Sequence, residues 1–102
     1  MLTRVGEAAG VAIGQMRAFK VERTMVSVAN VGGHYYAFAD RCTHDGCSLA
    51  SGHLDGTTVT CPCHGSQFDV RSGAVLEGPA EDPVATWVVE VQGADLLVRR
   101  AD

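Results

Sequence analysis

The chain has 102 residues, which fits one domain, and 46 % of them are hydrophobic, as in an ordinary globular protein. Its formal net charge of −4 argues against nucleic acid as a partner, because that partner calls for a basic surface. No apolar run approaches the ~18 residues that a membrane-spanning helix needs. The most apolar N-terminal stretch, Ala8–Gly14, follows Glu7 and has no basic leader, so no signal peptide is expected. The composition therefore predicts a soluble cytoplasmic protein with no membrane partner.

Short strands separated by turn residues are predicted along most of the chain. Gly32–Gly33 separates a β-branched run from an aromatic one, and Gly93–Ala94 separates two further apolar runs, so each pair predicts a hairpin. The predicted strands are residues 17–22, 24–30, 35–39, 57–61, 66–70, 85–92 and 95–100. Several short strands with regularly spaced turns indicate an all-β sandwich or barrel.

The middle of the chain, residues 41–70, is richer in Gly, Ser, Thr and Asp than its flanks. This composition predicts a loop-rich subdomain carried on a β base formed by residues 1–40 and 71–102. The two parts together would form a single domain over residues 1–102.

All four cysteines and two of the four histidines lie in two short runs inside that segment, CTHDGC (Cys42–Cys47) and CPCHG (Cys61–Gly65). Cysteines are often small buried core residues. Core cysteines, however, do not gather beside histidines in glycine-rich loops. The pattern instead favours a metal site.

The identity of the metal depends on how cysteine and histidine are distributed between the runs. Zinc commonly uses C-x₂₋₄-C with H-x₃₋₅-H, whereas each run here offers one Cys and one His. A plant-type four-cysteine cluster needs a C-x₂-C that does not follow Cys47. A two-iron cluster explains the mixed pairs if Cys42 and Cys61 bind one iron and His44 and His64 the other. A structural zinc site stays open as a remote alternative.

The pattern C-x-H, sixteen residues, then C-x-x-H resembles the signature of the Rieske [2Fe–2S] family. The segments GHLDG, GSQFDVRSG and GPAEDPV resemble further parts of the same family, so the resemblance covers most of the chain. It implies a fold of three small antiparallel sheets. It also implies a cluster at one tip, with the His44 and His64 imidazoles facing solvent.

The resemblance also gives roles to residues around the ligands. Cys47 and Cys63 match a pair that forms a disulfide in high-potential members. Ser66 matches a serine whose hydroxyl bonds a bridging sulfide, and Phe68 replaces a tyrosine that bonds a cysteine sulfur. Pro79 matches a proline loop that covers the cluster. An intermediate reduction potential is therefore expected, within the range of about −150 to +300 mV that Rieske centres span.

The resemblance implies a one-electron carrier, a Rieske-type ferredoxin, that passes electrons from a reductase to a terminal oxygenase. Docking is expected to be transient and to occur at the His44/His64 tip, with the protein as a monomer. Only His34 and His53 remain for a second iron, and neither lies in a pattern that could bind one, so no catalytic residue is predicted. The alternative is a small Rieske subunit bound permanently within a larger redox enzyme.

Overall fold

The computed structural model describes residues 2–101, so Met1 and Asp102, the ends of the predicted domain, lie outside it. Nearly all of its regular structure is β-strand, as predicted. The strands are β1 Thr3–Glu7, β2 Met16–Val21, β3 Thr24–Val31, β4 His34–Ala39, β5 His53–Asp55, β6 Thr58–Thr60, β7 Gln67–Asp69, β8 Val75–Glu77, β9 Thr86–Gln92 and β10 Asp95–Arg100. Two 3₁₀ turns cover Ala8–Gly10 and Leu49–Ser51. Across residues 2–101 there is no helix of the length and hydrophobicity that crossing a bilayer requires.

Six strands form the larger sheet, in the order β1-β10-β9-β4-β3-β2, and all neighbouring pairs are antiparallel. Both predicted hairpins are present, β3–β4 around Gly32–Gly33 and β9–β10 around Gly93–Ala94. Two three-stranded halves meet through only two residue pairs, Ala37 with Trp87 and Phe38 with Thr86. This short ladder joins the two halves into one sheet. The structure therefore has two sheets, this one and a smaller one, whereas three were expected.

The smaller sheet has the order β5-β6-β7-β8 and is also antiparallel. It includes β8, so it extends beyond the 41–70 segment that was expected to form the subdomain. The first Cys/His run follows β4 of the larger sheet, and the second connects β6 to β7 of the smaller one. Each sheet thus supplies one of the two runs.

The core beneath the two runs is shared by both sheets. Phe38 comes from the larger sheet and Phe68 from the smaller one, and both are fully buried in the same apolar cluster. Leu49, Cys42 and Cys61 belong to that cluster as well. Burial of each large side chain contributes about 1.5–3 kcal/mol, so this packing fixes the position of the first cysteine of each run.

Candidate metal centre

The two Cys/His runs fold into loops with the same backbone hydrogen bonds. In loop 1, residues 42–47, the Cys42 N–H donates to the carbonyl of Cys47 (2.9 Å) and the Gly46 N–H to the carbonyl of Cys42 (2.9 Å). In loop 2, residues 61–66, the Cys61 N–H donates to the carbonyl of Ser66 (2.8 Å) and the Gly65 N–H to the carbonyl of Cys61 (3.2 Å). Each loop therefore spans six residues and is closed by its first and last members.

A glycine at the fifth position makes this loop possible in both cases. Gly46 has φ 77° and Gly65 has φ 79°, a left-handed conformation that side chains with a Cβ adopt only at a cost. The matching glycines explain why two different sequences take up one backbone form.

The first residue of each loop is a buried free thiol. Cys42 and Cys61 are each only 1 % exposed, and neither is in a disulfide. Burial raises the pKa of the Cys61 thiol, and a hydrogen bond with the neighbouring Cys42 thiol acts in the same direction. Two soft sulfur donors therefore lie side by side at the base of the site, as expected for ligands of iron or zinc.

The two imidazoles lie at the exposed tips of the loops. The ring centroids of His44 and His64 are 5.4 Å apart, and the rings are nearly perpendicular. The structure thus brings together all four residues that the spacing singled out, with the sulfurs inside and the imidazoles outside. His34 and His53 are exposed and begin strands of different sheets, as expected of surface residues.

Asp45 is a member of the site that sequence reasoning missed. One of its carboxylate oxygens lies 2.9 Å from His64 Nδ1, and the other accepts a hydrogen bond from the Cys61 thiol at 3.5 Å. A hydrogen bond from the Cys47 N–H and that from His64 lower the pKa of Asp45 to about 2. The sequence places Asp45 inside the first Cys/His run, directly after His44. Its partners in loop 2 are 16 to 19 residues further along the chain, so no local sequence pattern indicates these contacts.

The remaining cysteines, Cys47 and Cys63, form a disulfide that ties loop 1 to loop 2, as the resemblance implied. Together with Asp45 and Cys61 they form a group whose ligand atoms lie within 4.8 Å of one another. Because the two bridging sulfurs are bonded to each other, they do not provide thiolates, and this group is not a complete metal site. The bridge instead holds the two loops together.

Ser66, the last residue of loop 2, connects that loop to the proline segment. Its buried Oγ accepts a hydrogen bond from the Ala80 N–H at 3.0 Å, which leaves its own hydroxyl hydrogen available. The Thr43 hydroxyl donates to the carbonyl of Asp82 at 2.6 Å, so the segment that includes Pro79 is tethered to both loops. The role of this segment as a lid over the cluster stays a prediction.

The donor set fits a two-iron cluster. It consists of two buried thiols and two exposed imidazoles on two loops with the same backbone form. Such a fold and such a site define a Rieske-type iron–sulfur protein.

Comparison with known proteins gives the same class. The sequence profile of the Rieske [2Fe-2S] domain matches residues 1–88, and the chain belongs to this family. The cofactor is therefore a Rieske [2Fe–2S] cluster, and the structural zinc alternative is wrong.

The chain is similar to several ferredoxins of known systems. It is 41 % identical, over 72 % of its length and 71 % of the relative's, to the 3-phenylpropionate/cinnamic acid dioxygenase ferredoxin subunit of Escherichia coli strain K12. The ferredoxin of carbazole 1,9a-dioxygenase from Nocardioides aromaticivorans IC177 superposes with a TM-score of 0.93 at 31 % identity, covering 99 % of each chain. A chain in a complex of reduced oxygenase and oxidised ferredoxin of carbazole 1,9a-dioxygenase gives 0.88 at 34 % identity, covering 95 % of this chain and 91 % of that one.

Proposed function

We propose that this protein is a one-electron carrier that accepts electrons from a reductase and delivers them to the terminal oxygenase of an aromatic-ring dioxygenase. The observation that carries the proposal is the pair of loops, which set two thiols in the core and two imidazoles at the exposed tip. The relatives named as dioxygenase ferredoxin subunits support the choice of an oxygenase as acceptor.

Cys42 and Cys61 are proposed to bind one iron, and His44 and His64 the other. Cys42 follows β4 of the larger sheet and Cys61 follows β6 of the smaller one, so the site requires both sheets to be folded. The imidazoles, in contrast, are exposed and close to each other. This asymmetry supports an electron path that leaves through the histidine side.

When bound, the cluster accepts and releases single electrons. The ligands set how easily it does so, because replacing two thiolates by neutral imidazoles removes two negative charges from the oxidised core. Adding an electron then costs less free energy, and the potential rises relative to four-cysteine clusters. Hydrogen-bond donors near the sulfurs raise it further, and Ser66 is proposed to be one of them.

We infer that the chain carries out no catalysis itself. A mononuclear iron site would need two histidines and a carboxylate close together. The histidines outside the loops, His34 and His53, start β4 and β5, which belong to different sheets. This separation favours a carrier that depends on a partner for chemistry.

A carrier is favoured over a permanently bound subunit by the distribution of exposed apolar side chains. Among residues 2–101 the large exposed ones are Ile13, Met25, Leu76 and Val91. Leu76 lies in the smaller sheet, and Met25 and Val91 lie in strands of the larger sheet that are not neighbours. A permanent interface calls for a contiguous apolar patch. The monomeric state and the cytoplasmic location expected from the sequence stay predictions.

The test begins with the purified protein. Iron and sulfide analysis should give two of each per chain, and reduction should produce a Rieske-type EPR signal. Cys42→Ser, His44→Ala, Cys61→Ser and His64→Ala should each lose that signal, whereas the exposed-histidine control His53→Ala should retain it. A variant of the four ligands that kept two irons and the same signal would reject its assignment.

The second step tests electron delivery. The reductase and oxygenase components of Escherichia coli 3-phenylpropionate dioxygenase serve as surrogate partners, because their ferredoxin is similar to this chain. The protein should support NADH-dependent product formation that stops when it is omitted. A loaded protein that neither accepts electrons from the reductase nor passes them to the oxygenase would contradict the proposed function.

A further inference from the structure

Basic residues are concentrated beside loop 1. The chain has eight Lys and Arg residues, and four of them line a set of adjoining depressions that share Thr24. We call this surface the arginine cleft, and its arginines are Arg23, Arg41, Arg99 and Arg100. Its central part has a volume of about 640 Å³ and reaches His44.

Two arginines of the cleft, Arg100 and Arg41, are held by packing. The Arg100 guanidinium lies over the ring of Trp87, 5.0 Å from its centroid. The Arg41 guanidinium lies over Gly46, where an added Cβ would be 3.2 Å from its terminal nitrogen. Within residues 2–101 the three ion pairs involve Arg4, His64 and Arg71, so none of the cleft arginines has a carboxylate within 4.0 Å.

The carboxylates that also line the cleft do not cancel its exposed charge. Asp40 is buried and accepts a hydrogen bond from the Ser27 hydroxyl. Asp45 is turned towards Cys61 and His64, with 12 % of its side chain exposed. Among residues 2–101, the exposed carboxylates of the cleft are those of Glu22 and Asp82, against four exposed arginines. The exposed surface of the cleft is thus positive in a protein whose net charge is −4.

We propose that the arginine cleft docks an acidic segment of the protein that exchanges electrons with this chain, whose carboxylates pair with Arg41 and Arg100 beside His44. The inference rests on the proposed function, since it assumes that electrons pass near His44. Guanidiniums recognise carboxylates well, because each presents several donors in a planar fork. The concave shape suits protruding side chains, whereas the acidic remainder of the surface disfavours nucleic acid and anionic membranes.

The location explains what such a site would contribute. Charges at the rim of an interface mainly steer encounter and fix orientation, and they add little to the affinity of the final complex. A carrier needs this combination, because it must bind one partner, release it and find the next. The cleft therefore determines which face of the tip meets an acidic partner.

The experiment uses two charge reversals and one matched control. Arg41→Glu and Arg100→Glu change the cleft. Arg17→Glu is the control, because Arg17 is also exposed and also lies over an aromatic ring, that of Phe19 at 5.6 Å, but it is outside the cleft. Arg41→Gln and Arg100→Gln replace the reversals if either fails to fold. EPR and the reduction potential are recorded for every variant. A change in rate that follows from a changed potential can then be told apart from one that follows from docking.

Electron transfer from the reduced protein is measured by stopped flow with two redox proteins as probes, acidic plastocyanin and basic cytochrome c. At 0.01 M ionic strength each reversal should slow transfer to plastocyanin by about tenfold and should not slow transfer to cytochrome c. The difference should shrink at 0.2 M, where the Debye length falls below about 10 Å. Arg17→Glu should behave like the wild type. The oxygenase assay is then repeated with the same variants, and the same order of rates is expected.

Three results would overturn the inference. The first is transfer to plastocyanin at the wild-type rate in both reversals. The second is an equal loss of rate in Arg17→Glu, which would show that the effect comes from the net charge of the protein and not from the cleft. The third is a concentration-dependent dimer in sedimentation that Arg100→Glu abolishes, because the occupant would then be a second copy of this chain. Failure of the reductase and oxygenase to use the wild-type protein, with normal plastocyanin results, would reject the proposed function and leave the acidic docking site supported.

Discussion

Loop 1 and loop 2 have the same backbone but carry different side chains on it. When their first cysteines and their glycines are aligned, His44 of loop 1 corresponds to Cys63 of loop 2, and Asp45 corresponds to His64. The last positions are Cys47 and Ser66. The frame is thus repeated, whereas the position of the imidazole shifts by one residue.

This difference shows which features the site requires of each loop. A buried cysteine at the first position and a left-handed glycine at the fifth are needed twice, because they build the frame. At the other positions the two loops carry different residues with different roles. Loop 1 contributes Asp45 and one end of the disulfide, and loop 2 contributes the other end and the hydrogen bond of Ser66 with Ala80.

The disulfide links the two loops covalently, from different positions in each, and its removal should have the largest effect. Cys47 and Cys63 are 16 residues apart, and a cross-link closing a loop of that size stabilises a protein by about 3 kcal/mol. Cys47→Ser/Cys63→Ser should lower the free energy of unfolding by about that amount in urea denaturation. An unchanged unfolding midpoint, or no loss of stability when the wild type is reduced, would contradict the bridge.

Ser66 tests whether the last position of loop 2 acts on the cluster as well as on the lid. Ser66→Ala leaves the Ala80 N–H without its partner, which costs about 1–3 kcal/mol. It should also lower the reduction potential, because a donor that stabilises the reduced cluster is lost. The control is Ser27→Ala, another buried serine, whose hydroxyl donates to Asp40; it should reduce stability and leave the potential unchanged. Equal potentials in all three proteins would exclude this role for Ser66.

The two glycines offer a matched pair of substitutions. Gly46→Ala and Gly65→Ala should each cost about 1 kcal/mol, because alanine is strained at positive φ. Gly46→Ala should cost slightly more, since its Cβ would meet the Arg41 guanidinium at 3.2 Å, whereas nothing lies within 4 Å at Gly65. Thermal unfolding of both variants measures the difference. An unchanged Tm in either variant would show that the left-handed glycine is not needed at that position.

The smallest effect is expected outside the loops, at the turn after β7. The hydrogen bonds and charge of Arg71 hold the pKa of Asp69 below its ordinary value. A carboxyl group with a lowered folded-state pKa stabilises the fold above its unfolded pKa, and this contribution is lost as pH falls through the folded pKa. Asp69→Asn should therefore lower Tm slightly at pH 6, and the difference from the wild type should shrink as pH falls through the folded-state pKa. A difference in Tm that grew towards low pH would have the opposite pH dependence and would reject a stabilising Asp69–Arg71 pair.

Much of the fold was predictable because its signals are local. The β-branched and aromatic runs predicted seven of the strands, and Gly32–Gly33 and Gly93–Ala94 predicted both hairpins. The short strands β1, β5 and β8 were not among the predicted ranges. The number of sheets was not predictable, since it depends on two residue pairs between β4 and β9, which are far apart in the chain. The role of Asp45 was missed for the same reason.

The sequence by itself determined the chemistry of this protein. The spacing of Cys42, His44, Cys61 and His64 was enough to indicate a two-iron centre, because ligand identity and order are written along the chain. Only the tertiary structure decided what surrounds that centre. The contact of Asp45 with loop 2, the Ser66 link to Ala80 and the grouping of Arg41 with Arg100 all join residues from different elements. Such contacts arise when two sheets pack on one core, and no local pattern encodes them.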